Sequence, residues 1–253
     1  MRTGKKQMNY FTILYLTIAL MISPSIAFTT DIQTADSLFD VFQYDEAAEI
    51  YRDLISVDSS DSDLLLKFGE CLIYFAELEP EENQLVIYEE AGIVLKKSAK
   101  MESNNAEVHF QIAKNQGRIA LFKGIWSSIG LAKEVKREAE TALEINPEHD
   151  GALHILGRWH REASNKSKII RTPLGLGAAN KEDAIKFLEQ AVTLKPDYIN
   201  HHLELGKTYM AVKRYPEARH QFYTVTSFQP VRPIEKKYIK EAKELLAELE
   251  GKS

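Results

Sequence analysis

The sequence predicts an all-α protein in which pairs of helices repeat along the chain and stack into a solenoid. Its 253 residues include only 12 glycines and 8 prolines, and 44% of them are hydrophobic, which is enough for a packed core. One set of small residues recurs with gaps of 44, 44 and 49 residues, at Gly69, Ala113, Gly157 and Gly206. A second set keeps those gaps and adds one of 34, at Ala47, Ala91, Val135, Ala184 and Ala218.

The first element, residues 1–27, has the layout of a secretory signal peptide. Three basic residues precede an apolar stretch at 10–22, and small residues end the segment at Ala27. The apolar stretch is shorter than the roughly 20 residues that span a bilayer. We therefore expect cleavage after Ala27 and export of residues 28–253, either to a periplasm or out of the cell. The alternative is a membrane anchor formed by residues 10–22.

The remaining chain is acidic and poor in cysteine. Without the first 27 residues, 29 basic residues face 37 acidic ones, so the net charge is −8. Such a chain is a poor candidate for binding nucleic acid. The single cysteine, Cys71, excludes an intrachain disulfide and a cysteine-rich metal site, and we expect it to be buried. The sequence indicates no cofactor and no metal.

Residues 28–232 divide into five helix-turn-helix units. The period is most regular at the carboxyl end, where one unit follows the next after 34 residues. The three middle units are longer by about 10, 10 and 15 residues, which predicts inserts at 77–90, 121–134 and 163–183. The second insert is unusually apolar. It either lengthens the helices on both sides of it or forms an exposed hydrophobic surface that binds a partner or a membrane.

The small residues explain why the units must stack. Glycine or alanine lets two helices approach closely, and a single unit cannot bury both of its apolar faces. We therefore expect close helix crossings at Gly69, Ala113, Gly157, Gly206, Ala184 and Ala218. Residues 233–253 have apolar positions at helical spacing between charged ones, which predicts an amphipathic helix that caps the stack.

These spacings resemble the tetratricopeptide repeat, with Leu205-Gly206, Tyr209 and Pro230 at the family's positions. Residues 142–209 are similar, more narrowly, to the regulator of microtubule dynamics family, through a Leu-Gly-Arg-Trp element at 156–159 followed by a long insert. The resemblance implies a tetratricopeptide architecture with inserted units. Eukaryotic members are associated with microtubules and mitochondria.

The same resemblance implies that the first helix of each unit lines the concave face. Residues one, four and five places after the small residue are then exposed there, and five of them are basic: Lys114, Arg118, Arg158, Arg161 and Lys207. Such a groove suits an acidic or carboxylate-bearing protein or peptide, because these side chains hold carboxylates as point charges or bidentately. The alternative is that some of them form surface ion pairs with Glu107, Glu162 and Glu204, which contribute little.

No arrangement of residues indicates catalysis. The glycines at 175 and 177 lack the Lys-Ser/Thr of a phosphate loop, and no Ser-His-Asp or Cys-His pattern is present. We therefore expect a non-enzymatic, exported protein-binding scaffold that contacts a membrane only if the first segment is uncleaved. One alternative is a microtubule- or organelle-associated adaptor. Another is an enzyme accessory or weak hydrolase that uses the insert at 163–183 as a lid.

Overall fold

The computed structural model describes residues 24–124 and 127–252, with side chains from Thr30 onward. The described residues form twelve helices and no strand. The apolar stretch at 10–22 lies outside them. The helices are α1 (Pro24–Asp40), α2 (Tyr44–Val57), α3 (Ser62–Leu78), α4 (Glu81–Met101), α5 (Ala106–Lys123), α6 (Ile129–Ile145), α7 (Asp150–Ala163), α8 (Lys168–Arg171), α9 (Lys181–Leu194), α10 (Ile199–Ala211), α11 (Tyr215–Ser227) and α12 (Glu235–Glu248).

The helices pack as five antiparallel pairs followed by a cap. The pairs are α1 with α2, α3 with α4, α5 with α6, α7 with α9, and α10 with α11, and each pair packs on the next. The first helices of successive units also touch one another, so α3, α5, α7 and α10 form the inner row. Helix α12 packs on α11 and α10. The predicted all-α solenoid with a capping helix is confirmed.

Side-chain caps fix where several helices begin. The Asp61 carboxylate accepts a hydrogen bond from the Leu64 amide at 3.0 Å. The Asn180 side chain accepts one from the Asp183 amide at 2.7 Å. Each cap satisfies an amide that has no partner within its own helix, so the connections end at defined residues.

Small residues lie where paired helices cross. A Cβ atom added at Gly69 would lie 2.5 Å from Leu95, and one added at Gly206 would lie 2.5 Å from Phe222. At Gly157 it would lie 2.5 Å from Leu188 and 3.1 Å from the Ala184 carbonyl oxygen. The remaining small residues are fully buried, namely Ala113, Ala184 and Ala218.

The three longer units use their extra residues differently. In the first two, most of the extra length extends the helices, since α3 ends at Leu78 and α4 begins two residues past Glu79. Extending a helix keeps each added amide hydrogen-bonded without a longer loop. Among the described residues, only the range 163–183 contains a long connection, which includes α8. Residues 125 and 126 of the second insert lie outside the described residues. No described helix is both long enough and apolar enough to cross a bilayer.

Candidate binding cavity on the concave face

The inner row of helices encloses a cavity of about 240 Å³. Helices α3, α5 and α7 supply most of its wall, and the segment before α10 supplies Tyr198. The chain leading into α12 closes it with Arg232, and α12 itself adds Tyr238. The cavity therefore forms only when the second, third, fourth and fifth units and the cap are stacked together.

A buried carboxylate, Glu204 on α10, draws in three of the predicted basic residues. Arg161 Nη2 lies 2.6 Å from Glu204 Oε2, Arg158 Nε lies 3.4 Å from the same oxygen, and Lys207 Nζ lies 3.1 Å from Oε1. Burial alone would raise the pKa of Glu204, but the three cations hold it well below its usual value. The carboxylate is therefore ionised and the cations are engaged.

A second ion pair joins α5 to α3. The Arg118 guanidinium donates to Glu77, whose carboxylate is 4% exposed. Burial would raise the pKa of Glu77, yet Arg118 and Lys114 keep it lowered. Arg118 and Tyr238 on α12 both line the cavity, and the charge of Arg118 opposes the rise in the pKa of Tyr238 that burial causes. The ion pair of the second and third units therefore lies beside the cap.

The expectation of five exposed groove bases needs correction. Arg161 is 5% exposed and is absent from the cavity wall, because it also donates to Thr208 and to the Glu204 carbonyl. Lys207 is absent from the wall too and bonds Glu241 on α12 at 2.9 Å. Arg118 and Arg158 line the cavity as members of ion pairs. The alternative of ion pairing therefore describes these four, and two of its three predicted carboxylates take part, Glu162 and Glu204. Arg118 pairs with Glu77 instead, and Glu107 bonds His149. Glu204 and Glu77 are buried rather than at the surface.

Lys114 remains as a cation of the cavity wall. Its Nζ lies 3.8 Å from the centroid of the Tyr74 ring, which is a cation–π contact. It makes no ion pair with any residue that the structure describes. Glu70, one helical turn before Tyr74, also has no ion-pair partner in the described ranges, and burial raises its pKa.

Two histidines at the cavity wall form a hydrogen-bonded chain with an aspartate. His201 Nε2 lies 2.8 Å from Asp150 Oδ2, and His201 Nδ1 lies 2.9 Å from His154 Nδ1. Hydrogen bonding to His201 and its charge help to lower the pKa of Asp150 against the effect of burial, so the carboxylate accepts from His201 Nε2. In the neutral pair, His201 Nδ1 is then the acceptor and His154 Nδ1 the donor.

Other candidate chemistry is structural. Cys71 is fully buried, burial raises its pKa to about 12, and its thiol donates to the Tyr44 carbonyl. A thiol with so high a pKa is a poor nucleophile. Among the described residues, no group of three or more His, Cys, Asp or Glu side chains is placed to hold a metal ion.

Sequence reasoning missed the residues that the cap brings to the cavity. Arg232 lies over the Tyr198 ring at 4.6 Å and bonds Glu235, and Tyr238 follows on α12. The helical pattern predicted this helix, but only the curvature of the stack brings its start back to the inner row. The signals available in the sequence were Tyr74, five places after Gly69 in the set predicted to be exposed, and Tyr238 on the apolar face of the predicted cap helix.

Comparison with known proteins gives one consistent family. A family model described as regulator of microtubule dynamics protein 1-3 matches residues 31–250. Mouse regulator of microtubule dynamics protein 1 is 26% identical over 180 residues, covering 67% of this chain and 59% of that protein. Bovine regulator of microtubule dynamics protein 3 is 27% identical over 177 residues, covering 64% of this chain and 36% of that protein. The match therefore spans less than two thirds of these relatives' length.

The fold has a counterpart among solved structures. A tetratricopeptide repeat protein of Thermus thermophilus superposes with a TM-score of 0.60 at 14% identity, covering 86% of this chain and 99% of that one. The predicted resemblance to tetratricopeptide repeat proteins of the microtubule dynamics regulator type is confirmed.

Proposed function

Because this chain belongs to the family of regulator of microtubule dynamics proteins 1-3, we propose that it is an exported, non-catalytic adaptor whose concave cavity receives a carboxylate-bearing segment of a partner protein. The family and the tetratricopeptide fold support a protein-interaction scaffold or adaptor. The nature of the partner and the export are the finer parts of the proposal, and each has its own support.

The observation that carries the proposal is the state of Lys114. The other basic side chains predicted for the groove are engaged with buried carboxylates, and each would lose those bonds on turning to a ligand. Lys114 is half-buried in the cavity wall, and its Nζ lies over the face of Tyr74. Its charge acts on Glu70, Glu77 and Glu107, but it forms no ion pair with any of these three carboxylates. An incoming carboxylate gains a charge-assisted hydrogen bond there without breaking an ion pair.

The acidic residues of the wall do not oppose this strongly. Glu77, Glu107 and Asp150 are each bonded to a cation or a histidine. The fifth acidic residue of the wall, Glu162, is bonded to Arg161. Glu70 has a raised pKa, so its negative charge is easier to neutralise than those of the three carboxylates whose pKa is lowered. At about 240 Å³ the cavity is smaller than most ligand pockets, and it suits one side chain or a chain terminus better than a helix.

Export is supported by residues 1–27. Their basic start, short apolar stretch and small residues before Phe28 are typical of a cleaved signal peptide. Amino-terminal sequencing of the protein recovered outside the cytosol tests this, with Phe28 as the expected first residue. A mature protein that retains Met1 and stays with membranes in high salt would favour the anchor.

The cavity is tested with an acidic peptide that ends in a free carboxylate, measured by fluorescence anisotropy against the full chain. Lys114→Gln is expected to weaken binding by about tenfold or more, since a charge-assisted hydrogen bond is worth about 1.5–3 kcal/mol. Lys243→Gln, on the exposed face of α12, is the matched control and should bind normally. Unchanged affinity in the Lys114 variant would remove the cavity from the proposal.

A second candidate is a microtubule-associated adaptor, which the names of the relatives favour. Co-sedimentation of the full chain with assembled microtubules tests it. If the chain co-sediments and Lys114→Gln does not alter the bound fraction, this second function holds and uses another surface.

A further inference from the structure

The long connection between α7 and α9 is an ordered structure. Leu176 is fully buried, and Ala179 is 1% exposed. The Arg171 guanidinium donates to the carbonyl oxygens of Leu176 and Gly177 at 3.1 Å each, and also to that of Ala179. The buried arginine therefore closes the connection on itself and fixes the position of α8, which it ends.

Helix α8 carries two exposed isoleucines. Ile169 is 87% exposed and Ile170 is 55% exposed, while the next residue, Arg171, is buried. A surface turn that served only to join helices would be expected to carry polar residues here. Because Arg171 holds the turn in place, the two isoleucines remain directed away from the core.

The surroundings of these isoleucines are basic. Residues 164–181 contain four basic residues and no acidic one, on a chain whose net charge is −5. Lys166 and Lys168 are exposed, and so is Lys133 at the start of α6. A Cβ atom added at Gly175 would lie 2.8 Å from Lys133 Cε, so α6 adjoins the connection. None of the three lysines forms an ion pair with a residue in the described ranges.

We propose that this surface, the insert edge, docks on a lipid bilayer that contains anionic headgroups. We define the insert edge as Lys133, Lys166, Lys168, Ile169 and Ile170. The isoleucines enter the interface between headgroups and acyl chains, and the lysines contact the lipid phosphates. This surface lies outside the cavity of the proposed function.

Size and charge favour a bilayer over a protein partner. Two isoleucines on a four-residue helix offer much less area than the roughly 800 Å² that each partner contributes to a standard protein interface. A bilayer accepts a small apolar tip because it needs no complementary shape. The unpaired lysines beside the tip match anionic headgroups, whereas the chain as a whole, which is acidic, would be repelled by them.

The test uses the full chain with an environment-sensitive dye at Ser167→Cys, an exposed position between the two lysines of the turn. Cys71 is fully buried and stays unlabelled. Vesicles of equal parts phosphatidylcholine and phosphatidylglycerol should shift the dye emission to the blue, and vesicles of phosphatidylcholine alone should not. The same dye at Val57→Cys, at the last residue of α2 and 80% exposed, should stay in water with both kinds of vesicle.

Two further variants keep the result specific to the insert edge. Lys166→Glu with Lys168→Glu, and separately Ile169→Asn, should each raise the anionic lipid needed for a half-maximal shift, by at least about tenfold for the charge reversal. Neither change removes a bond of the fold, which circular dichroism verifies. An unchanged titration in both variants would overturn the proposal. Two other results would also overturn it. One is that the dye at residue 167 stays in water while the chain binds vesicles through residues 1–23. The other is that the emission of this dye shifts only when a soluble protein is added in place of vesicles.

Discussion

The two ends of the solenoid hold their units together by different forces. Between the first and second units the buried part of the contact is apolar, with the rings of Tyr44 and Tyr74 stacked at 5.4 Å and Leu72 fully buried. The ion pairs that join these two units are exposed, namely Arg52 with Glu90 and Lys67 with Asp36. Between the fourth and fifth units the contact includes a buried ion pair, Arg161 with Glu204, and the hydrogen-bonded His154 and His201. The same way of stacking helical units therefore tolerates either an apolar or a polar interface. A polar interior adds little net stability, but it depends strictly on geometry and on protonation.

The largest expected difference comes from removing one buried charge. Arg161→Ala should lower the free energy of unfolding by about 3 kcal/mol, because Glu204 stays buried and loses its shortest ion pair. Urea unfolding monitored by circular dichroism measures this. Lys252→Ala breaks an exposed pair with Glu248 and is the control, with an expected cost below about 1 kcal/mol.

A triple variant distinguishes charge from packing. Arg158→Met and Arg161→Met together with Glu204→Leu remove the buried carboxylate and both guanidinium groups that it binds, while Lys207 keeps its pair with Glu241. This variant should recover most of the loss, because buried ion pairs can be exchanged for apolar residues at little cost. If the Arg161→Ala variant were as stable as the parent chain, the two ends of the solenoid would not differ in the way described.

The next largest expected difference between the two ends is in how their stability depends on pH. Burial lowers the pKa of both His154 and His201. At His154 the charge of Arg158 adds to this lowering and Glu204 opposes it. At His201 the carboxylate of Asp150 opposes it. An unfolded histidine titrates near about 6.5, so below that pH the unfolded chain binds more protons than the folded one. The free energy of unfolding is therefore at its full value above about pH 6.5 and falls at lower pH. The fall is about 1.4 kcal/mol per pH unit for each extra proton that the unfolded chain binds.

Hydrogen exchange between pH 7 and 5 checks this locally. Amides of α7 and α10 should lose protection before those of α3 and α4, whose core contains no histidine. His154→Gln should flatten the dependence. Equal loss of protection at both ends would contradict the prediction.

The smallest expected difference concerns two equivalent glycines. Gly157→Ala should cost about 2 kcal/mol, since the new Cβ would meet the Ala184 carbonyl, part of a helix backbone that cannot move aside easily. Gly69→Ala should cost about half as much, because the new Cβ would meet only Leu95, a side chain that can adjust. Thermal unfolding compares them. Gly130→Ala, with nothing within 4 Å, should be neutral or slightly stabilising, and a larger cost at 69 than at 157 would reverse the comparison.

The architecture could be predicted because its signal is periodic. Gly157 and Gly206 mark close crossings, and the sequence alone places them one unit apart. The state of the groove bases was harder to predict, since each partner comes from a neighbouring unit. Arg161 meets Glu204 across 43 residues, and Arg118 meets Glu77 across 41. Whether such a pair is buried depends on the curvature of the stack, which no local pattern specifies.

A rule for similar sequences follows from those separations. A base and an acid about one unit apart, both on first helices, are candidates for a buried pair and should be set aside before groove residues are chosen. Applied here, the rule sets aside Arg161 and Arg158, which pair with Glu204, and Arg118, which pairs with Glu77. It also selects Lys114 with Glu70, 44 residues apart, and only the structure shows that these two side chains do not form an ion pair.

The return of α12 to the cavity also restricts how this chain can evolve. Repeat proteins commonly gain or lose whole units, because each unit contacts only its neighbours. Here Tyr238 lines the cavity beside Arg118 of the third unit, and Arg232 closes a cavity that begins with Tyr74 of the second. Adding or deleting a unit between them would carry the cap away from these residues and open the cavity. The number of repeats is therefore fixed by the terminal helix, and variation in this chain is left to the loops and inserts at the edge of the stack.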